Sequence, residues 1–154
     1  VEPRKYTVSS GLTSLAASTT RVAVQVATPS TGTNTLIGGD VTFDSTATGS
    51  GAIAVKVQIV RTTGASSGGA TATPAPWKKS QIASTTTARI NDTTDGSAPS
   101  VVWEWLISPT AGVLYQLPLG RDIDMEASDF LELRLVSQSG LTTCDYSAQL
   151  HFSE

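Results

Sequence analysis

Cysteine and histidine occur once each in 154 residues, as Cys144 and His151. One thiol cannot form an intrachain disulfide, and the pair excludes cysteine-built and multi-histidine metal sites. Charge is scarce as well: Asp, Glu, Lys and Arg make up 15% of the chain, against roughly 25% in an average soluble domain. The balance is −3 at neutral pH. It offers no basic face for displacing counterions, so no nucleic-acid partner is expected. No apolar run approaches the ~20 residues that span a bilayer as a helix, and no membrane partner is expected. A sustained helical period is missing too; Leu12 to Ala17 has room for one turn at most.

What remains is threonine, 23 residues, and serine, 19, around short stretches of strict alternation. Val22, Val24 and Val26 point one way, with Arg21, Ala23 and Gln25 opposite. Val41 with Phe43, and Ile53 through Ile59, repeat the pattern. Val101, Trp103, Trp105 and Ile107 share one face, Leu131, Leu133 and Leu135 another. At the C-terminus Cys144, Tyr146, Ala148, Leu150 and Phe152 alternate with Asp145, Ser147, Gln149 and His151. Turn residues punctuate these runs, and Pro118 makes the Leu114 to Leu119 run an edge or a bulge. The pattern predicts an all-β chain: a two-sheet antiparallel sandwich, a jelly roll first and an immunoglobulin-like sandwich second. Residues 20–154 form its single domain, with a flexible loop near 62–76. Residues 1–19, weak in alternation, are expected as an extended arm outside the core.

Chemistry is thin. There is no Gly-x-Ser-x-Gly elbow, His151 lies on the polar face of its strand, and Cys144 lies on an apolar face, so no catalytic residue is assigned. Asn91 to Gly96 resembles the first half of an oxygen-ligand loop, but Val102 stands where a bidentate glutamate belongs. The row Asp122, Asp124 and Glu126 reads as a solvated edge. No metal and no cofactor are expected, and the protein is read as not an enzyme. The tryptophans differ in setting: Trp103 and Trp105 are expected inside, whereas Trp77 follows a Pro-rich loop and precedes Lys78 and Lys79. Arg4, Lys5, Tyr6, Trp77, Lys78 and Lys79 are the candidate interface. The start of the chain, with Arg4-Lys5 but no apolar segment behind it, is not an intact leader; either a leader was removed or an initiator methionine was lost, and the second is the expectation.

The stretch from Gly120 to Leu135 resembles a pattern of small viral and phage jelly rolls, in which a strand enters a small-residue-plus-Asp turn and then a strand of alternating leucines. The closing strand Tyr146 to Phe152 is similar to theirs, and the Ala/Thr/Gly/Ser-rich first half resembles tailed-phage capsid decoration proteins and head-fibre bases. The resemblance implies a virion structural protein, often trimeric, that binds a major capsid protein or another virion protein on the outside of a phage head assembled in the host cytoplasm. A carbohydrate-binding or adhesin module, secreted, is the alternative.

Overall fold

The computed structural model describes residues 2–116 and 121–154. Its strands are β1 (Lys5–Ser9), β2 (Thr13–Leu15), β3 (Thr20–Ala27), β4 (Asn34–Phe43), β5 (Val55–Thr62), β6 (Ala70–Ala72) and β7 (Ala75–Pro76). They continue as β8 (Thr87–Asp92), β9 (Ser100–Ile107), β10 (Val113–Gln116), β11 (Ile123–Met125), β12 (Phe130–Val136) and β13 (Cys144–Ser153). The described helical content is one short turn, Gly49–Gly51. All pairings are antiparallel. One sheet runs β10-β4-β13-β1-β7, with β11 on β4 and β2 on β13; the other runs β6-β8-β3-β12-β5-β9. Two antiparallel sheets packed as a sandwich are what the alternation predicts. β10 lies at an end of its sheet, and Pro118 lies outside the described residues.

The core fills the space between the sheets. Tyr6, Val8, Tyr146, Leu150 and Phe152 enter from one side; Val24, Val26, Val57, Leu131, Leu133 and Leu135 enter from the other. Cys144 packs among them, and burial pushes its thiol up from its ordinary value.

The N-terminal segment is not an arm. β1 lies between β13 and β7, pairing Tyr6 with Phe152 and Val8 with Leu150. Tyr6, expected at an interface, is fully buried. Its ring stacks on Phe152 with centroids 5.5 Å apart, and its hydroxyl donates to the Ile82 carbonyl at 2.9 Å. Leu15 on β2 is buried as well. The first nine residues look weak in isolation because only Tyr6 and Val8 carry their apolar face. A partner strand 140 positions downstream supplies the rest.

Three further expectations change through bulges and edges. The β3–β12 register slips between Leu133 and Arg134, so that Val22 stands opposite Arg134 and faces outward with it. Ala23 takes the core position instead. A second slip, between Ile59 and Val60, places Val101 opposite Val60 and leaves Val102 unmatched; Val101 therefore leaves the face of Trp103 and becomes exposed. Trp103 and Trp105 keep the inner face but are only half-buried, because β9 ends its sheet.

The 62–76 segment is ordered rather than flexible. It supplies β6, β7 and a bridge from Ser67 to Thr94, and Ser66 is buried.

Replacing Tyr6 by Ala should lower unfolding free energy by about 3–5 kcal/mol, the usual range for emptying a buried aromatic site. Urea denaturation measures it; a loss under about 1 kcal/mol would return β1 to the status of an accessory arm.

Candidate binding surfaces and the buried polar layer

The interface candidates converge on one corner of the β1 sheet. Pro76 in β7 is tolerated there because β7 ends the sheet, where no partner needs its missing N–H. Just beyond it, the Trp77 N–H donates to the Lys5 carbonyl at 3.0 Å. The indole N–H donates to Thr7 Oγ1 at 2.8 Å, the ring meets His151 edge-on at 5.9 Å, and the Lys5 ammonium stands 5.5 Å from its centre. Trp77 nonetheless remains 52% exposed. Arg4, Lys5, Lys78 and Lys79 are all exposed, and Arg4 lines a cleft with Glu2 and Lys78. Lys78 pairs with Glu2 at 2.5 Å and holds that carboxyl below its usual range. Of the six candidates, Tyr6 alone turns away from this surface.

Three residues outside the candidate set complete the corner. Thr7 shares a 2.9 Å hydrogen bond with His151 Nδ1, and His151 Nε2 lies 3.5 Å from Asp40 Oδ2. The register explains the row: Thr7 faces His151 across β1–β13, and β4 borders β13 on the other side. Alternation puts Thr7 and His151 on polar faces, but nothing local in the sequence says that the first and last strands are neighbours.

A second surface is β9 itself. Its only described partner is β5, and Val101, Val102 and Leu106 are exposed by 46%, 40% and 62%. Glu104 between them accepts from Gln58 Nε2 at 2.5 Å.

The third arrangement looks like an active site and is built as a structural layer. On the outer face of the β3–β12–β5 sheet lie Gln25, Glu132, Gln58 and Thr62, all buried, under the loops after β5 and β8. Gln25 Nε2 donates to Glu132 Oε1 at 2.7 Å, and Gln25 Oε1 accepts from the Ser66 N–H at 3.0 Å. The Gly96 N–H donates to Glu132 Oε1 at 2.8 Å. A side chain at Gly96 would come within 2.3 Å of the Gly64 carbonyl, which is why the turn needs glycine. Asp92 accepts from Arg89 at 2.7 and 2.8 Å, from Ser66 Oγ at 2.5 Å and from the Gly69 N–H at 2.6 Å. Burial works to raise its carboxyl, but these donors outweigh it and hold Asp92 below the ordinary range. The calcium-like loop thus spends its oxygens on the protein. Asn91 does the same, donating to the Ser10 carbonyl at 2.9 Å and accepting from the Tyr146 hydroxyl at 2.7 Å.

Two oxygens of this layer, Glu132 Oε2 and Asp95 Oδ1, are buried without a hydrogen-bond partner among the described residues. Glu132 is the deeper of the two. Burial, with Asp95 nearby, pushes its carboxyl up to about 6, against the Gly96 and Gln25 donors and the positive charge of Arg134. Such a value is common in catalytic carboxyls, yet this one is fully buried behind the loops. Among the described residues no three His, Cys, Asp or Glu side chains gather as metal ligands, and no helix is long and apolar enough to cross a membrane. No known protein family, curated protein or solved structure matches the chain.

A raised carboxyl favours folding while protonated and loses that advantage as pH rises through the folded value. Between pH 4.5 and about 6, wild-type stability should therefore fall relative to Glu132→Gln. The gap should reach on the order of 2 kcal/mol by pH 7. Denaturant titrations at pH 4 to 7 check this, and parallel curves for the two proteins would contradict it.

Proposed function

We propose that this is a non-enzymatic virion structural protein, a capsid decoration protein that assembles as a homotrimer and reinforces the outside of a phage head. The observation that carries the reading is the exposed aliphatic trio of β9, Val101, Val102 and Leu106. Exposed apolar side chains grouped on one strand invite association unless assembly covers them. A closed ring of three copies covers each such patch with the next subunit. The low charge of the chain keeps the desolvation cost of such contacts small, and repetition over a shell turns weak contacts into avidity.

The jelly-roll form of the sandwich is supported by the order β3-β12-β5-β9 and by the way the chain alternates sheets, β3 to β4 to β5 and again β11 to β12 to β13. The partner in this reading is a major capsid protein, met outside the shell after assembly in the host cytoplasm. A second reading, a carbohydrate-binding or adhesin module, is favoured by one observation: Trp77 is half open to solvent while held in a fixed orientation.

Light scattering should give the wild type a mass three times the 15.9 kDa of one chain. Leu106→Asp, which charges the exposed edge, should reduce it to a single chain with the far-ultraviolet spectrum unchanged. A monomeric wild type would contradict the trimer, and a trimer untouched by Leu106→Asp would contradict the role of β9.

A further inference from the structure

The Trp77 corner has a chemistry that the assembly reading does not use. Four of the ten Lys and Arg residues gather near this corner: Lys5 stands 5.5 Å from the centre of the exposed indole, Lys78 and Lys79 follow Trp77 directly, and Arg4 lines a cleft with Lys78 and Glu2. In a chain of net charge −3 this is a local positive field, and such a field orients anions. The indole is also immobilised. Its ring nitrogen is committed to Thr7, its ring meets His151 in a T-shaped contact, the Lys5 ammonium lies over the ring, and its backbone is tied to Lys5. A ligand meeting it therefore freezes little side-chain motion. An aromatic face with fixed polar groups at its rim suits a molecule that is apolar on one side and hydroxylated at its edge. A pyranose ring has that form: axial C–H bonds on a face, hydroxyls around it. Thr7, His151 and Asp40 continue from the indole across the β1, β13 and β4 strands as a line of hydrogen-bonding groups, and Gln149 lies opposite Asp40 in the β13–β4 register.

We propose that this corner binds a glycan of carboxylated sugars, the pyranose lying against Trp77 and its carboxylate meeting the Lys5 ammonium. The inference rests on the carbohydrate-binding reading and adds the ligand class and its site; a protein decorating a particle has use for such a surface at a polysaccharide coat. An acidic protein segment offers the same charge but no flat C–H face, and a neutral glucan offers the face without the charge.

The test is titration of the full-length protein with oligogalacturonate, dextran and polyaspartate of matched length, followed by tryptophan fluorescence and by affinity electrophoresis. Oligogalacturonate should bind best. Trp77→Ala should weaken it about tenfold or more, and Lys5→Gln about threefold, each with the unfolding midpoint retained; a tenfold change corresponds to about 1.4 kcal/mol. Lys5→Gln serves as the second readout should Trp77→Ala disturb β7. Dextran binding as tightly as oligogalacturonate would keep the carbohydrate reading and overturn the acidic-sugar assignment. Polyaspartate binding as tightly would overturn recognition of a sugar. Binding indifferent to both substitutions would overturn the site, and failure of all three probes to bind would overturn the inference together with the reading beneath it.

Discussion

Everything on the β1 side of the molecule depends on the pairing of the last strand with the first. β13 is ten residues long and is flanked by β4 on one edge and by β1 and then β2 on the other. Its inward residues, Tyr146, Ala148, Leu150 and Phe152, are fully buried. The contact is closed at its end by paired backbone bonds between Arg4 and Glu154, at 3.1 and 2.9 Å. Glu154 then reaches beyond it, accepting from the N–H groups of Thr85 and Thr86 at 3.0 and 2.9 Å and so fixing the approach to β8. Burial alone would raise that carboxyl; the Ser84, Thr86 and Thr85 donors hold it low. Because β1 and β13 carry Thr7 and His151 outward on the register that carries Tyr6 and Phe152 inward, the Trp77 corner and the core are two faces of one pairing.

The other sheet solves a different problem. Its outer face carries Gln25, Glu132, Gln58 and Thr62 where water is excluded, and each buried polar group needs partners. Loops spanning roughly residues 63–69 and 93–97 supply them with backbone N–H groups from Ser66, Gly69 and Gly96. Arg134 extends the layer by bonding Gln58 at 2.9 Å and Asp95 at 2.7 Å. Val22, turned to this side by its bulge, and Val60, placed there by plain alternation, are buried there too. The sheet therefore has a dry core on one side and a hydrogen-bonded polar layer on most of the other, and Val101, Val102 and Leu106 of β9 remain exposed.

The fold class was legible because period-two alternation is a local property. Leu131, Leu133 and Leu135 face the core as their spacing predicts, and so do Cys144 through Phe152. What alternation does not carry is a change of phase: one extra residue at Ala23 and another at Val102 reverse the faces of Val22 and Val101 without any mark in composition. Pairing between distant strands is equally invisible, which is why residues 1–19 read as an arm and the Thr62 to Pro76 stretch as a loose loop. Its order comes from Gln25 and Asp92, residues far away in sequence. At the corner, Trp77 and its lysines were readable from their setting beside a Pro-rich turn. Thr7, His151 and Asp40 were not, since three separate strands bring them together.

The proposed capsid-bound trimer would draw these features into one account: exposed aliphatic side chains covered by neighbouring copies, a weakly charged surface suited to repeated contacts, and a basic aromatic corner left to meet something outside. The central claim is that the chain resides in virus particles. Quantitative mass spectrometry of particles banded on a density gradient, from cultures that make the protein, tests it most directly. The account predicts that the chain co-bands with the major capsid protein in many copies per particle, retained after washing. Its absence from banded particles, with the protein recovered only as free chains, would contradict it.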